Sequence, residues 1–385
     1  MTGTFAPPVV ATAGSTDPAA PLVALLHGRG SHEQEILGLA QHLPVGVAYA
    51  AVRAPIAEGG GFAWFANRGI GRPVVESLRS TMDWFRAWLD DVAPAGRPVV
   101  LVGFSGGAAF AGGLLLDHPD RYAGGAVLFG TLPFDAGVPT TPGRLAGVPV
   151  VVAQGDHDTA IPRELLDQTW EYLLGPSAAP TVARREPGGH QVTASTVATL
   201  AGWLAERLDF LATHGRPAAG PGHWATLPGG ALPARTGGRP VVSPGIPQEQ
   251  LSDHAPTALQ DEVFRRVAAL PGVRTGPSAI SVPGARAFRV DPAPGHQPDA
   301  FIVPGCGEFA HVHPGHDGSL HLALPPALAG DVVTRGWGVA HPLAGVRLTP
   351  GMTMLFGPRD EAELETVVGV VAAAHAWATA TGTAA

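Results

Sequence analysis

The sequence predicts an α/β fold with a mostly parallel sheet over residues 1–213, followed by a smaller α+β domain over residues 249–385. In the first part, short apolar runs end at glycine turns and lead into helical segments, which is the pattern of a parallel sheet. Between the two parts, residues 214–248 are rich in Gly and Pro and predict a linker or an extended arm. The chain has 385 residues, more than one hydrophobic core usually serves.

The most informative strand–turn–helix unit surrounds Ser105. The β-branched run 99–102 stops at Gly103, Ser105 stands between two glycines, and residues 106–116 have helical character. This Gly-x-Ser-x-Gly pattern predicts a nucleophile elbow, which holds a serine hydroxyl at a helix N-terminus. The alternative is a glycine-rich turn with an inert serine, because the bare pattern can arise by chance in a chain with 52 glycines.

A serine nucleophile needs a histidine as base and a carboxylate that orients the histidine. Candidates for both follow Ser105 in the chain order that a nucleophile elbow requires, first the acid and then the histidine. A buried strand is predicted over 148–153, and Asp158 lies just beyond it, at the sheet edge where the elbow is expected. Asp158 is the predicted orienting acid, and Asp156 is the second candidate for this role. For both residues, the alternative interpretation is an aspartate that only stabilises a turn or caps a helix. His190, in a glycine loop before a predicted helix over 193–210, is the predicted base.

Two further segments complete the predicted site. The run 22–26 leads into a glycine turn, where the backbone N–H of Arg29 is expected to join that of Gly106 in an oxyanion hole. His27 precedes the serine, so we interpret it as structural. Trp64 and Phe65 could form an apolar lip to an acyl pocket or be core residues under a loop, and the sequence leaves both open.

Residues 1–213 resemble the phospholipase/carboxylesterase family of α/β-hydrolases, which includes acyl-protein thioesterases. The matching segments are 26–30, 61–65, 103–107, 155–162 and 188–190. The resemblance implies an α/β-hydrolase fold without a large cap domain, activity on carboxylic esters or thioesters, and a triad of Ser105, Asp158 and His190. Many members carry Leu where this chain has Arg29, which places a charge near the expected acyl site.

The composition excludes several functions. The net charge of −8, with no basic run, argues against a nucleic-acid partner. All 24 basic residues are arginine, which excludes a lysine Schiff base and a Walker-type phosphate loop. The single cysteine, Cys306, is interpreted as structural and suits a reducing compartment. No signal peptide or membrane span is recognised, so we expect a cytoplasmic protein without a cofactor, acting on a small-molecule ester or thioester, with its oligomeric state left open.

The second domain is predicted to contain a helix and several short strands. Apolar residues at helical spacing predict a helix from about Leu259 to Leu270, and strands are predicted over 279–282, 287–290 and 300–303. A terminal helix is expected to begin near Asp360, since acidic residues favour a helix's first turn.

A histidine-rich hairpin is its most distinctive feature. Asp317-Gly318 predicts the turn, and strand alternation places Phe309, His311 and His313 on one face, with Glu308 on the other. If His313 pairs with Ser319, His321 falls opposite His311. Three imidazoles on one face suit a metal site, a proton-transfer site, or hydrogen-bonded histidines lining a cleft. We predict no metal, because no carboxylate clearly completes the site.

Residues 225–380 resemble a luciferase-type domain that also occurs in fungal luciferases. The hairpin, Gly-Trp-Gly at 336–338 and His-Pro-Leu at 341–343 carry this resemblance. It implies an α+β domain with a polar pocket, suited to oxygen chemistry on a small aromatic or pyrone-like ligand.

Three functions therefore remain in view. The first is a serine hydrolase that works through an acyl-enzyme and has an accessory ligand-binding domain. The second is a bifunctional protein whose histidine-lined domain performs an oxygenase or lyase step on a related metabolite. The third is a non-catalytic binding protein, which we rank last because the triad is complete.

Overall fold

A computed structural model describes residues 5–215, 222–292 and 295–380 of the chain. Contacts divide the chain into two compact units, Met1–Arg216 and Pro217–Ala385. Residues 216–221 of the predicted linker lie outside the described residues, as do 1–4, 293–294 and 381–385. Within the described part, no helix is long and apolar enough to cross a membrane.

The first unit is built on a seven-stranded sheet with the order β1-β3-β2-β8-β9-β10-β11. Its strands, with two small hairpins, are β1 Val10–Gly14, β2 Leu22–Leu26, β3 Ala48–Val52, β4 Ile56–Glu58, β5 Gly61–Ala63, β6 Asn67–Gly69, β7 Arg72–Pro73, β8 Val99–Phe104, β9 Gly124–Leu128, β10 Val150–Gly155 and β11 Thr181–Glu186. Only β1 is antiparallel to its neighbour, so the predicted mostly parallel sheet is confirmed.

The described residues of this unit form five α-helices. They are α1 Glu33–Leu37, α2 Val75–Val92, α3 Gly106–Asp117, α4 Arg163–Leu174 and α5 Ala194–His214. The first four lie between strands, and α5 follows β11. The central strands are buried along their length, which explains why they read as unbroken apolar runs. Beside them, the Trp64 ring stacks on Phe110 of α3 with centroids 4.4 Å apart. This aromatic packing supports the helix that follows Ser105.

The second unit contains a six-stranded antiparallel sheet with the order β12-β13-β14-β15-β17-β16. Its elements are α6 Thr257–Ala268, β12 Arg274–Pro277, β13 Arg286–Arg289, β14 Glu308–Val312, β15 Leu320–Ala323, α7 Pro326–Thr334, β16 Gly338–Ala340, β17 Met352–Leu355 and α8 Glu361–Thr379. The side chain of Asp360 caps α8 by accepting from the Glu363 N–H at 2.9 Å. A smaller α+β unit is thus present, as predicted.

Two predicted strands of this unit are wrong. Residues 279–282 form no ladder, because their N–H groups bond to side chains: Ala279 donates to Glu308 at 2.9 Å and Ser281 to the Ser278 hydroxyl at 3.1 Å. Residue 300 ends the 3₁₀ helix Pro298–Ala300, and residues 301–303 form only the isolated bridge of Val303 with Glu308.

The described part of the predicted linker packs against the second unit. Trp224 is fully buried in that unit's core, and its Nε1–H donates to the Asp331 carboxylate at 3.0 Å. Leu227 and Leu232 belong to the same core. Residues from 222 onward are therefore a packed segment, although their Gly and Pro content hides any periodic pattern.

Candidate active site

Ser105 lies at the sharp turn between β8 and α3. Its backbone has φ 54° and ψ −116°, an uncommon conformation for a residue other than glycine. The neighbouring chain is very close on both sides. A Cβ on Gly103 would lie 2.2 Å from the Gly107 carbonyl oxygen, and one on Gly107 would lie 2.1 Å from that of Leu26. Only glycine fits these two positions, so the elbow motif has a direct steric cause.

The structure brings Ser105, His190 and Asp158 together in one hydrogen-bonded chain. The His190 Nε2 atom lies 2.8 Å from the Ser105 Oγ atom, and the His190 Nδ1 atom lies 2.8 Å from the Asp158 Oδ2 atom. The Asp158 side chain is fully buried. Its Oδ1 atom accepts the N–H groups of Ala160 at 2.8 Å and Ile161 at 3.1 Å, which fixes the carboxylate plane.

The candidate acid, Asp158, and the candidate base, His190, lie on loops after the neighbouring parallel strands β10 and β11. The His157 N–H donates to the Gly188 carbonyl at 3.0 Å, which joins the two loops. A Cβ on Gly155 would lie 2.2 Å from the Gly189 carbonyl oxygen, so glycine permits this approach. The rival acid, Asp156, is turned away, with its carboxylate 3.9 Å from the Arg185 guanidinium.

The two expected oxyanion donors are adjacent. A Cβ on Gly106 would lie 3.2 Å from the Arg29 backbone nitrogen. Among the described residues, neither backbone N–H donates to a protein acceptor. The Arg29 side chain forms a two-point ion pair with Glu58 and donates to the Phe65 carbonyl at 3.1 Å. Its charge beside the site is therefore balanced by Glu58.

A cavity of about 100 Å³ opens beside Ser105. Trp64 and Phe65 line it, and both side chains are buried in the core. Asn67 lines it as well, and its Oδ1 atom is buried without a hydrogen-bond partner among the described residues. Sequence reasoning missed Asn67, since nothing in the pattern around it marks a site.

His27 occupies the structural position that was expected. Its Nδ1 atom lies 2.7 Å from the Gly28 carbonyl, and its Nε2 atom accepts the Ala54 N–H at 3.1 Å. Burial lowers the pKa of His27, which keeps the ring neutral. Because both ring nitrogens are used by the backbone, His27 joins β2 to the chain after β3 and is not available as a base.

The second unit brings His311, His313 and His321 together on one face of its sheet. His311 lies opposite His321, and the His313 N–H donates to the Ser319 carbonyl at 2.9 Å. Candidate ligand atoms of the three rings all lie within 4.8 Å of one another. The three side chains are almost completely buried.

The predicted orientation of Glu308 is wrong. Phe288 and Arg289 of β13 pair with Ala310 and Glu308, which leaves Phe309 as an extra residue in a β-bulge. The bulge turns Glu308 toward the histidines, where its Oε1 atom lies 2.9 Å from the His311 Nδ1 atom. Phe309 instead packs toward α8 in the hydrophobic core, so it does not share the histidine face.

Sequence reasoning also missed three other members of this cluster. The Asp317 Oδ2 atom lies 2.5 Å from the His313 Nδ1 atom, and the Gln248 Oε1 atom lies 3.0 Å from the His321 Nε2 atom. The His341 ring lies 5.1 Å from the His321 ring. The spacing His-x₃-Asp at 313–317 was visible in the hairpin, and His341 lies in the His-Pro-Leu segment that carries the luciferase-type resemblance, whereas Gln248 comes from a distant segment with no signal of its own.

Burial favours the neutral form of three of the histidine rings. It lowers the pKa of His311 and His321, and it lowers the pKa of His341 to about 3. The four histidines line a cavity of about 380 Å³ together with Gln248 and Arg347. This cavity is built from residues of the second unit alone.

Comparisons with known proteins agree with both resemblances. The profile of the Phospholipase/Carboxylesterase family matches residues 8–205, and that of the luciferase domain matches residues 307–374. The chain is 26% identical over 196 residues to the putative hydrolase MhqD of Bacillus subtilis, covering 49% of this chain and 94% of that protein. It is 42% identical over 76 residues to the luciferase of Armillaria gallica, covering 19% of this chain and 28% of the luciferase.

Among solved structures, a Bacillus cereus carboxylesterase is 25% identical with a TM-score of 0.47, covering 52% of this chain and 94% of that one. The matched part of the chain covers 28% of the length of the Armillaria luciferase. It covers 94% of the length of the putative hydrolase MhqD. The two resemblances predicted from the sequence are confirmed.

Proposed function

The chain belongs to the phospholipase/carboxylesterase family, and from this premise we propose that it is a serine hydrolase of small-molecule carboxylic esters or thioesters. One observation carries the proposal. The Ser105 hydroxyl, the His190 ring and the Asp158 carboxylate form a continuous chain with both hydrogen bonds at 2.8 Å. A Ser-His-Asp chain of this geometry is the general arrangement for activating a serine nucleophile.

In the proposed reaction, the Ser105 hydroxyl attacks the acyl carbonyl while the His190 Nε2 atom takes its proton. Asp158 holds the other ring nitrogen protonated and stabilises the imidazolium. The imidazolium then protonates the departing alcohol or thiol, which leaves an acyl group on Ser105. A water molecule, deprotonated by His190, releases the acid and restores the free serine.

The backbone N–H groups of Arg29 and Gly106 are proposed to bind the oxyanion of both tetrahedral intermediates. Each donor of this kind is typically worth about 3 kcal/mol in the transition state. Their closeness supports this role, as does their lack of another acceptor among the described residues. The ion pair of Arg29 with Glu58 holds that loop without consuming its backbone N–H.

The cavity supports a preference for short acyl groups. Its volume of about 100 Å³ and its walls of Trp64 and Phe65 favour a small apolar chain. The unpaired Oδ1 atom of Asn67 can accept a hydrogen bond from an N–H or O–H group of the substrate. We therefore propose a small ester or thioester that carries a hydrogen-bond donor near its acyl end.

Hydrolysis of a p-nitrophenyl ester series by the full chain tests the proposal. We expect acetate and butyrate to be cleaved faster than long-chain esters, and S105A to lose at least about 1,000-fold in kcat. The control is S80A, because Ser80 is an exposed residue of α2. Equal rates for S105A and the native chain would refute a reaction at this serine.

A second candidate is a bifunctional protein that also carries out an oxygenase or lyase step on a related metabolite. The separate histidine-lined cavity of the second unit favours it. Under this proposal, H341A would lose the second reaction while its ester hydrolysis stays intact, and S105A would show the reverse. If the second domain is only an accessory for ligand binding, H341A leaves every measured turnover unchanged. A cytoplasmic location remains a prediction from composition.

A further inference from the structure

The hydrogen-bond acceptors around the histidine cluster fix the protonation of three rings. The Nδ1 atoms of His311 and His313 face the carboxylates of Glu308 and Asp317 at 2.9 and 2.5 Å, so both carry protons. The third ring, His321, presents its Nε2 atom to the Gln248 Oε1 atom at 3.0 Å. The Gln248 amide cannot be reversed without loss, because its NH₂ group donates to the Ala340 carbonyl at 3.2 Å. The His321 Nε2 atom is therefore protonated as well.

The remaining nitrogen of each ring then carries a lone pair and no proton. These nitrogens converge: the His321 Nδ1 atom lies 3.3 Å from the His311 Nε2 atom and 3.2 Å from the His313 Nε2 atom. Three acceptors at this spacing have no hydrogen to share and repel one another. A single added proton would relieve only part of this repulsion, because one hydrogen cannot bridge all three nitrogens, and the three rings are at most 5% exposed, so solvent cannot supply further donors.

We propose that His311, His313 and His321 bind one divalent transition-metal ion through these three nitrogens. Bonds of about 2.0–2.1 Å to a tetrahedral Zn²⁺ place two ligand nitrogens about 3.3–3.4 Å apart. The separations of 3.3 and 3.2 Å are close to this value, and each ring offers a candidate ligand atom within 4.8 Å of those of the other two rings. Neutral imidazole ligands suit Zn²⁺, Ni²⁺, Cu²⁺ or Fe²⁺, whereas Mg²⁺ and Ca²⁺ prefer oxygen.

The surroundings of the three rings are those of a metal centre. Histidine ligands commonly donate their second N–H to a carboxylate, which fixes the ring and strengthens the ligand. Glu308 and Asp317 supply such carboxylates here, and both are almost fully buried. Within the described part of the chain, no arginine pairs with Asp317, and Glu308 has one ion pair with an arginine, Arg289, at 3.6 Å. A divalent cation would balance the buried charge of Asp317 and would add to the single, long ion pair at Glu308.

The coordination position that the protein leaves open would face the cavity of about 380 Å³. The Nδ1 atom of His341 accepts the Leu343 N–H at 3.1 Å, so its Nε2–H is free to donate to a ligand in that cavity. The exposed guanidinium of Arg347 lines the same cavity. These groups favour an oxygen ligand with negative charge, such as a carboxylate or an enolate, on the metal.

Metal binding by the purified full chain is the direct test. After removal of adventitious metal with a chelator, titration with Zn²⁺ should saturate at about one ion per chain. Co²⁺ should give the intense visible absorption of a tetrahedral site. The double variant H311A/H321A should lose both signals, whereas H316A should keep them, because His316 is exposed on the same hairpin.

A milder variant distinguishes weakened metal binding from a failure to fold. D317N keeps the shape of the side chain but removes its charge, and it should weaken Zn²⁺ affinity by about 10–100-fold while the far-ultraviolet spectrum stays native. S105A should bind Zn²⁺ normally, which separates this site from the proposed hydrolase. The inference is overturned if the native chain takes up much less than one Zn²⁺, or if H311A/H321A binds it equally well.

Discussion

Replacing Asp158 by Asn tests how the carboxylate controls His190. The Oδ1 atom of Asp158 accepts two backbone N–H groups, at 2.8 and 3.1 Å, and its Oδ2 atom faces the His190 Nδ1 atom at 2.8 Å. In D158N, the amide oxygen keeps the two backbone bonds, so the NH₂ group turns toward His190. That donor forces the proton of the ring onto its Nε2 atom, which can then no longer accept the Ser105 proton.

A lower limit on the loss of kcat in D158N follows from the two possible orientations of the introduced side-chain amide. With the wrong tautomer, kcat should fall by about 10,000-fold, or about 5 kcal/mol. If the amide flips instead, two backbone donors lose their acceptor at about 1–3 kcal/mol each. The flipped orientation, which keeps the active tautomer of His190, is therefore disfavoured by at least about 2 kcal/mol, so at most about one molecule in 30 adopts it and kcat falls by about 30-fold or more.

The assay is steady-state hydrolysis of p-nitrophenyl acetate, with urea unfolding as the check on stability. The matched control is D156N, whose carboxylate lies 3.9 Å from Arg185, on the same loop. We expect D156N to keep nearly all activity. A D158N rate within a few-fold of the native rate, or an equal loss in D156N, would refute the assignment of the acid.

Two further substitutions test contacts that stabilise the fold, one in each unit. G155A places a Cβ 2.2 Å from the Gly189 carbonyl oxygen, so it should lower both kcat and the free energy of unfolding, the latter by about 1–3 kcal/mol, whereas G202A, with open space around it, should leave kcat unchanged. Burial opposes ionisation of Glu363, but hydrogen bonds from Arg359 and Arg235 outweigh it and lower its pKa to about 2. Its stabilising effect is therefore complete above about pH 4.5 and disappears toward pH 2. E363Q should lose about 3 kcal/mol in urea unfolding at pH 7 and little near pH 2, and an equal loss at both would contradict this.

The candidate active site was predictable because each of its parts is a short segment with a recognisable local sequence pattern. The strand before Ser105, the glycines around it and the loops that carry Asp158 and His190 are short segments with their own signals. Parallel-strand geometry then brings the ends of β8, β10 and β11 to one sheet edge. The order of the strands in the sheet therefore produces the contacts among Ser105, Asp158 and His190, which no local sequence pattern specifies.

The second unit was less predictable, because its cluster depends on long-range pairing and on a bulge. The extra residue Phe309 reverses the face of Glu308, and strand alternation alone cannot reveal it. Gln248 reaches His321 from within a Gly- and Pro-rich segment that reads as a linker. The structure places the carboxylates of Glu308 and Asp317 against the Nδ1 atoms of two of the histidine rings, which the sequence pattern did not indicate.

Labelling with a fluorophosphonate tests the proposed nucleophile most directly. We predict one covalent adduct per chain, found by peptide mass spectrometry on Ser105, with labelling strongly slowed in H190A and absent in S105A. An adduct on another residue, or an unchanged labelling rate in H190A, would contradict activation of Ser105 by His190.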